Sequence, residues 1–276
     1  MGAIEAAGSE FDGDLQAAVD SNPLWYHTME LAPGVVTPGW FDLRPIVERM
    51  PWPDVRGKRC LDVGTWDGFL AFELERRGAS EVVCTDLSDD SQWDWTPDLR
   101  QSGPEVMAAF AGPEKGRGFA IARQALGSSV QRVESSIYDL SADTVGRFDV
   151  VVCGSLLLHL RDPLRALEAL RSVCEGVLLS AEEVRLGLSV RHPQRPLAEL
   201  DGHRVQWWLP NVAGHRRMVM AAGFEIERAT RPYSIPFGPS HPPSSLASST
   251  RARLTRRVLT GHFGVPAAAV LARPQL

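Results

Sequence analysis

The stretch at residues 58–69 constrains the fold of this chain more than any other, because it predicts a strand, a glycine turn and a helix in succession. An apolar run ends at Asp62, and Gly64 and Gly68 then form the turn. Apolar residues continue at helical spacing from Phe69. In α/β folds the ligand crevice lies beyond the carboxyl end of such a strand, beside the free N–H groups that begin a helix. We therefore expect the binding site here.

The residues of the turn favour a ligand amino group over a phosphate. A dinucleotide loop of the G-x-G-x-x-G kind offers glycines to a pyrophosphate, whereas Trp66 stands here in the place of the middle glycine. Asp62 adds a carboxylate just before the turn. A nicotinamide dehydrogenase would share the fold, but Trp66 argues against it. Because the same glycine spacing also occurs in structural turns, the motif needs support from elsewhere in the chain.

The ends of two later strands supply that support. A second predicted strand ends in Asp86, about 20 residues beyond the turn, where nucleotide-binding folds place a carboxylate that accepts hydrogen bonds from ribose hydroxyls. A third predicted strand ends at Ile137, and Tyr138 and Asp139 follow it. An aromatic ring and an acid at this position can contact a purine ring and its exocyclic amine, although Asp139 can equally cap the next turn.

Two further strand ends carry candidate catalytic groups. Residues 148–153 are almost uninterruptedly apolar, as in a parallel strand buried on both faces, and Gly154 follows the run. His159 lies near the end of that strand, although a histidine in an apolar run is also a common packed core residue. The next strand ends in Glu182 and Glu183, which point to opposite sides, so at most one of them faces the crevice.

Residues 1–55 are expected to form a cap over a single large domain at residues 56–276. We predict substrate-side insertions in this domain near residues 88–114, 185–206 and 231–260. The first of these insertions is expected to be a long loop with at most one short helix. A later helix is expected to begin within residues 207–211, and a short basic helix at residues 251–259.

The cap contains large aromatic side chains among turn residues, and such a segment is costly to leave solvated. Trp25, Tyr26 and His27 are candidates to face a pocket. In the alternative interpretation, Trp25 and Trp40 only fill the edge of the core. The sequence favours neither interpretation over the other.

Composition argues against several other classes of protein, although it leaves room for a local nucleic-acid-binding patch. The chain has 29 Lys and Arg against 34 Asp and Glu, and a net charge of −5 gives no global attraction to nucleic acid. No apolar run reaches the roughly 18 to 20 residues of a membrane-spanning helix, and the acidic N-terminus does not resemble a signal peptide. The four cysteines show no C-x-x-C spacing, which indicates buried thiols in a reducing compartment. We expect a cytoplasmic protein without a metal site.

These motifs resemble those of the class I S-adenosylmethionine-dependent methyltransferases. The resemblance implies a Rossmann-like, doubly wound α/β fold, in which a seven-stranded, mostly parallel sheet ends in an antiparallel C-terminal hairpin. It also implies S-adenosylmethionine as the cofactor. The residues that it assigns to cofactor binding are Asp62, Gly64, Thr65, Trp66, Gly68, Asp86, Leu87, Ile137, Tyr138 and Gly154.

A closer resemblance extends over residues 24–272, to the subgroup that includes the bacterial tRNA wobble-uridine 5-oxyacetic acid methyl- and carboxymethyltransferases. The motifs that carry it include Trp25-Tyr26-His27, Asp67-Gly68-Phe69, the run 158–163 and the run 207–211. This chain lacks much of the longer basic N-terminal portion of that tRNA enzyme and is acidic, whereas RNA binding needs phosphate-neutralising Lys or Arg. The resemblance suggests a substrate-binding set of Trp25, Tyr26, Trp207 and Asn211.

We therefore expect methyl transfer to an oxygen or nitrogen of a small-molecule metabolite, with a tRNA wobble-uridine (carboxy)methyltransferase as the alternative. A cofactor-binding scaffold without catalysis is a third class. Transfer to a hydroxyl or amine needs a base within hydrogen-bond reach of the departing proton. His159 is the first candidate for this base, His27 the second and Glu182 the third. The sequence makes no prediction of the oligomeric state.

Overall fold

A computed structural model of the protein describes residues 14–112, 114–200, 205–241, 260 and 263–275. Its strands are β1 (Glu30–Ala32), β2 (Val35–Val36), β3 (Arg59–Val63), β4 (Glu81–Asp86), β5 (Gln131–Glu134), β6 (Phe148–Gly154), β7 (Cys174–Glu183), β8 (Ala198–Leu200), β9 (Trp208–Pro210), β10 (Phe224–Ala229), β11 (Tyr233–Pro236) and β12 (Gly264–Pro274). Its α-helices are α1 (Leu15–Ser21), α2 (Phe69–Arg76), α3 (Pro97–Ser102), α4 (Pro104–Ala111), α5 (Arg117–Ala125), α6 (Ala142–Val145), α7 (Pro163–Val173), α8 (Leu186–Arg191) and α9 (Val212–Ala221). Short 3₁₀ turns occupy Val47–Arg49, Asp90–Gln92, Ile137–Asp139 and Leu157–His159.

A central sheet organises the molecule, with the strand order β10-β12-β7-β6-β3-β4-β5. The five strands from β3 to β7 are parallel, and β12 runs antiparallel to both β7 and β10. The predicted Rossmann-like sheet with an antiparallel C-terminal hairpin is confirmed. The order reverses between β3 and β6, where parallel α/β sheets open a crevice for a ligand.

An eighth strand joins the sheet where the sequence predicted an irregular excursion. β11 pairs with β12 from Tyr233 opposite Ala267 to Pro236 opposite Gly264. The other end of β12 pairs with β10, from Val270 to Pro274. Because β12 is 11 residues long, it is long enough to accept one short strand after the other along the same edge.

Side chains of the central strands alternate between two apolar cores. On β6, Val150 and Val152 belong to the core that includes helices α2 and α5. Val151 and Cys153 belong to the opposite core, which includes α7 and α9. Successive strand residues point to opposite faces. The uninterrupted apolar run that the sequence shows therefore follows from burial on both sides.

Two helices replace the long loop that we predicted near residues 88–114. α3 begins with Pro97 and α4 begins with Pro104, each at the first helical position. A proline is tolerated there because its missing N–H would have no partner within the helix. Gly103, at φ 92°, makes the turn between the two helices. The prolines that indicated a loop thus mark the starts of helices.

The helix that we predicted to begin within residues 207–211 also differs from the structure, because it begins later. Residues Trp208–Pro210 form β9, which pairs antiparallel with β8. Asn211 then caps α9, because its side-chain oxygen accepts a hydrogen bond of 2.7 Å from the Gly214 N–H. The predicted basic helix at residues 251–259 lies outside the described residues.

The N-terminal segment shares a core with the main sheet. Buried side chains from this segment, such as Trp25, Leu31 and Ile46, pack in the same apolar cluster as Phe69 and Phe72 of α2. A backbone hydrogen bond of 3.0 Å from Asp42 to Pro236 links the segment to β11. The described residues thus give the cap no separate core, and its boundary at residue 55 stays a prediction.

Among the described residues, no helix is both long enough and apolar enough to cross a bilayer. The same residues contain no cluster of three or more His, Cys, Asp or Glu that could hold a metal ion. All four cysteines are buried free thiols, as predicted.

We predict that Gly39→Ala destabilises the protein by about 2 kcal/mol, because an added Cβ would lie 2.2 Å from the carbonyl carbon of His27 and 2.3 Å from the amide nitrogen of Thr28. Urea unfolding measures this change. Gly187→Ala is the control, since nothing lies within 4 Å of the added Cβ and the residue is in α8. Equal stability of the two variants would contradict the packing of the N-terminal segment described above.

Candidate active site

A cavity opens at the carboxyl ends of β3, β4 and β6, which is the predicted position. Its empty volume is about 1270 Å³, including the space at its open mouth. Its lining includes the glycine turn, the ends of the three strands, and aromatic side chains of the N-terminal segment and of the segment before α3.

The glycine turn forms one wall of the cavity in a conformation that only certain residues adopt. Gly64 and Gly68 have φ values of 76° and 95°, in the left-handed region that favours glycine. A Cβ on Gly64 would lie 2.8 Å from the side chain of Leu156, so the turn also packs closely against the loop after β6. Thr65 lines the cavity within the turn, whereas Gly68 lies behind it at the start of α2.

Trp66 adopts a φ of 50°, which is unusual for a residue with a side chain. Its backbone N–H donates a hydrogen bond of 2.7 Å to Oδ2 of Asp86, and this contact holds the turn against β4. The second carboxylate oxygen of Asp86 accepts from the Leu87 N–H, also at 2.7 Å. Both oxygens are thus oriented by backbone amides, and Asp86 faces the cavity.

Asp62 offers the cavity an unsatisfied acceptor. It is 2% exposed, and its Oδ2 has no hydrogen-bond partner among the described residues. Burial raises the pKa of Asp62 to about 6. A buried acceptor without a donor is costly, and a ligand ammonium group would supply that donor and favour the ionised carboxylate.

Lys115 lies beside Asp86, and the sequence analysis did not single it out. Its Nζ is 3.4 Å from Asp86 Oδ1 and lies over the rings of Trp93 and Trp66, at 3.9 and 4.9 Å from their centroids. Burial lowers the pKa of Lys115, while Asp86 opposes that shift. Lys115 is one of only two lysines in the chain, but that rarity gave no signal of its position.

The predicted purine-contacting residues lie at the end of the cavity beyond β5. Ile137 and Tyr138 form a 3₁₀ turn there, and both line the cavity. The Tyr138 hydroxyl donates a hydrogen bond of 2.5 Å to Asp94 Oδ2, which also accepts from the Arg161 N–H at 2.8 Å. Burial raises the pKa of Tyr138, so its hydroxyl stays a donor. Asp94 thereby joins the segment before α3 to the loop after β6.

His27 lines the cavity, and its side chain contacts a carboxylate of the glycine turn. Its Nδ1 contacts Oδ1 of Asp67, a residue of the turn that is 1% exposed. Asp67 Oδ2 accepts hydrogen bonds of 2.8 Å from the N–H groups of both Tyr26 and His27. The ring nitrogen not engaged by Asp67, Nε2, is the one available to a ligand. Tyr26 lines the same part of the cavity.

His159 lies at the opposite side of the cavity, in the 3₁₀ turn after β6. Its Nδ1 is 2.7 Å from the carbonyl oxygen of Val205. Because a carbonyl only accepts, Nδ1 carries the proton and Nε2 of the neutral ring is an acceptor. Burial lowers the pKa of His159, which keeps the ring neutral. A neutral, oriented imidazole beside a cavity can accept a proton from a bound molecule.

Glu182 does not line this cavity, so its position does not fit the predicted role of a base. It lies behind the loop after β6, where its Oε1 accepts a hydrogen bond of 3.3 Å from the Leu156 N–H. It lines a separate, smaller cavity instead. Burial raises the pKa of Glu182 to about 8. The contact with Leu156 indicates that Glu182 supports the loop that carries His159.

Three of the four predicted substrate-binding residues also lie outside the cavity lining. Trp25 is 2% exposed and its indole N–H donates to the Val19 carbonyl, which fits the alternative that it fills the core edge. The Asn211 side chain is used entirely in capping α9 and in bonds to backbone carbonyls of residues 192 and 195. Trp207 donates its indole N–H to the Asp94 carbonyl at 2.5 Å. Tyr26 is the one that lines the cavity.

Comparison with known proteins decides the family. A family model described as a methyltransferase domain matches residues 42–228, which is more than half of the chain. The chain belongs to this methyltransferase family. Together with the sheet order and the glycine turn, the match makes it a class I S-adenosylmethionine-dependent methyltransferase.

The curated relatives of this methyltransferase differ in their substrates. A tRNA U34 carboxymethyltransferase from Dichelobacter nodosus is 29% identical over 175 residues, which cover 63% of this chain and 47% of the relative. A ubiquinone biosynthesis O-methyltransferase from Xanthomonas oryzae pv. oryzae is 33% identical over 120 residues, which cover 42% of this chain and 38% of the relative. The methyltransferase thus matches less than half of the length of each.

Solved structures agree with the fold of the methyltransferase. The N-terminal domain of EvdMO1 with bound SAH superposes with a TM-score of 0.55 at 15% identity, covering 98% of this chain and all of that domain. An S-adenosylmethionine-dependent methyltransferase described as putative, from Listeria monocytogenes, gives a TM-score of 0.51 at 14% identity, with coverages of 83% and 96%.

We predict that Asp62→Asn weakens the binding of S-adenosylhomocysteine in a pH-dependent way. With a pKa of about 6, Asp62 is ionised above that pH and protonated below it, and only the carboxylate attracts a ligand ammonium group. The ratio of wild-type to variant affinity should therefore be roughly tenfold smaller at pH 5 than at pH 8. Isothermal titration calorimetry at the two pH values measures it. A ratio that does not change with pH would contradict this role of Asp62.

Proposed function

We propose that this methyltransferase transfers a methyl group from S-adenosylmethionine to an oxygen or nitrogen of a small-molecule metabolite. The observation that carries the proposal is His159, which lines the cavity and donates from Nδ1 to the Val205 carbonyl, so that Nε2 of the neutral ring is an acceptor. The cavity is concave, which suits a small acceptor better than an extended polymer.

The cofactor half of the cavity offers partners for three groups of S-adenosylmethionine. Asp62, with its unsatisfied oxygen, would hold the amino group, and Asp86 would accept hydrogen bonds from the ribose hydroxyls. Ile137 and Tyr138 would contact the adenine ring. Bound there, S-adenosylmethionine supplies an electrophilic methyl group and a thioether leaving group.

The other half of the cavity would hold the acceptor. Trp95, Phe110 and Val205 line it near His159, and Tyr26 and Trp40 line it on the side of the N-terminal segment. Aromatic walls exclude water and hold an acceptor in a fixed orientation, which an in-line displacement requires. A planar or partly apolar metabolite with a hydroxyl or amine is the acceptor class that these walls favour.

His159 is our proposed general base. An acceptor oxygen or nitrogen that takes the methyl group would have to give up its proton, while the thioether would leave with the electron pair of the broken carbon–sulfur bond. The acceptor proton passes to Nε2 of His159. The resulting imidazolium is stabilised by the Val205 carbonyl at Nδ1. General bases of this kind contribute about 10² to 10⁴ in rate.

Modification of the tRNA wobble uridine is the second candidate function. It is supported by the D. nodosus relative, at 29% identity. An RNA-binding face would draw on the arginines within residues 185–204, which the structure describes only in part, and there Arg185 pairs with Glu199 at 2.5 Å. That pairing reduces the positive charge available to RNA phosphates. The second basic segment lies outside the described residues.

An assay of labelled methyl transfer from S-adenosylmethionine distinguishes the two functions. We expect transfer to members of a panel of small hydroxylated aromatics, sugars and amines, and no transfer to unmodified bacterial tRNA. Transfer to tRNA alone would overturn the small-molecule proposal, and binding of the cofactor without transfer to any acceptor would favour a non-catalytic scaffold.

We predict that His159→Asn lowers kcat at least about 100-fold and changes the Kd for S-adenosylhomocysteine less than twofold, because the variant removes the base and leaves the cofactor contacts in place. Steady-state kinetics and calorimetry measure the two effects. The exposed His192 provides the matched control, and His192→Asn should retain full activity. Full turnover in the His159 variant, with loss of turnover in His27→Ala, would instead make His27 the base.

A further inference from the structure

The amino acid end of S-adenosylmethionine carries two opposite charges on the same carbon atom, an ammonium group and a carboxylate. A side chain that binds the carboxylate must therefore lie close to the one that binds the ammonium group. Asp62 fits the ammonium group. Asp62 and its neighbour Asp86 are both acidic, so neither of them suits the carboxylate, which needs a different partner. This reasoning rests on the cofactor placement proposed above and not on the identity of the acceptor.

Among the described residues that line the cavity, only His27, Lys115 and His159 can carry a positive charge. Lys115 is 3.4 Å from Asp86, at the ribose end. His159 is held by Val205, and burial lowers its pKa, so the ring stays neutral. His27 remains, and it lies on the glycine-turn side of the cavity, where its Nδ1 contacts Asp67, five residues after Asp62.

The contacts of His27 leave one ring nitrogen to a ligand. Its Nδ1 faces a carboxylate oxygen of Asp67, so this nitrogen carries a proton. Asp67 is 1% exposed and is fixed by the two backbone N–H groups of Tyr26 and His27. A ligand carboxylate at Nε2 would place the ring between two carboxylates, and each of these accepts a hydrogen bond only when both ring nitrogens carry a proton. A ring in that complex donates from Nε2, and it cannot also accept a proton.

We infer that His27, positioned by Asp67, binds the α-carboxylate of the cofactor through Nε2–H. In this arrangement Asp62 binds the ammonium group and His27 binds the carboxylate, so each charge at the amino acid end of the cofactor has its own partner. Asp67 is a positioning residue in this arrangement. The inference assigns His27 to cofactor binding in place of the catalytic role that the sequence suggested, and it leaves His159 as the base.

Calorimetry with matched ligands tests the inference. S-adenosylhomocysteine carries the carboxylate, whereas 5′-methylthioadenosine lacks the whole amino acid portion and keeps the thioether, ribose and adenine. His27→Gln should weaken S-adenosylhomocysteine binding about 10- to 100-fold, as expected for loss of a charged hydrogen bond. The same variant should bind 5′-methylthioadenosine within twofold of the wild type.

A third ligand, the analogue of S-adenosylhomocysteine that keeps the amino group and lacks the carboxylate, isolates the assigned contact. His27→Gln should leave its affinity unchanged. Equal weakening of all three ligands would overturn the inference and indicate a general disturbance of the pocket. Unchanged affinity for S-adenosylhomocysteine with loss of turnover would also overturn it and return His27 to a catalytic role. If the wild type bound none of the ligands, the cofactor placement itself would be wrong.

A measurement on the wild type keeps the test independent of how well the variant folds. In protein labelled with ¹⁵N-histidine, both ring nitrogens of His27 should show the chemical shifts of a protonated imidazole in the S-adenosylhomocysteine complex at pH 7.5. An unprotonated Nε2 in that complex would contradict the inference.

Discussion

The buried carboxylate of Asp67 connects the glycine turn to the N-terminal segment. Asp67 in the glycine turn accepts hydrogen bonds from the backbone of Tyr26 and His27 and also contacts the His27 ring. Removing it would leave two N–H groups, one buried and one partly buried, without this partner, at a cost of roughly 1 to 3 kcal/mol for the buried one. The same residue thus links the glycine turn to the N-terminal segment that forms the facing wall. The spacing of these two walls of the cavity depends on this contact.

The acidic groups and the neutral histidine of the cavity lie at the ends of different strands. Asp62 and Asp86, at the ends of β3 and β4, suit a ligand that brings hydrogen-bond donors and a positive charge. His159 follows β6, and burial lowers its pKa, so its ring stays neutral. Aromatic side chains lie beside both groups, since Trp66 and Trp93 face Lys115 next to Asp86, and Trp95 packs with Val205, the partner of His159. Such an arrangement fits a reaction in which one region holds a charged donor and another a neutral base beside the acceptor. Glu182 and Asp94 lie behind these groups and fix the loop after β6 that carries His159.

The sheet and the glycine turn were predictable because local signals specify them. Buried parallel strands appear as apolar runs, and a glycine turn with a preceding acid is recognised from a few neighbouring residues.

The rest of the cavity lining was not predictable in the same way. Trp25 and Asn211 belong to conspicuous motifs, yet one fills the core and the other caps a helix. Trp93 and Phe110 come from residues 88–114, whose prolines indicated a loop, and Lys115 directly follows that segment. The segment instead folds into α3 and α4, and all three side chains line the cavity. The partners of Asp67 are about 40 residues away in the chain, a distance at which sequence spacing carries no signal.

A crystal structure of the protein grown with S-adenosylhomocysteine tests the central claim most directly, because it shows which residues meet which end of the cofactor. Our account predicts the amino group at Asp62, the ribose at Asp86, the adenine beside Ile137 and Tyr138, and the sulfur facing the half of the cavity that contains His159. A cofactor bound in the reverse direction, with adenine among the aromatic residues near His159, would contradict the division into a cofactor half and an acceptor half.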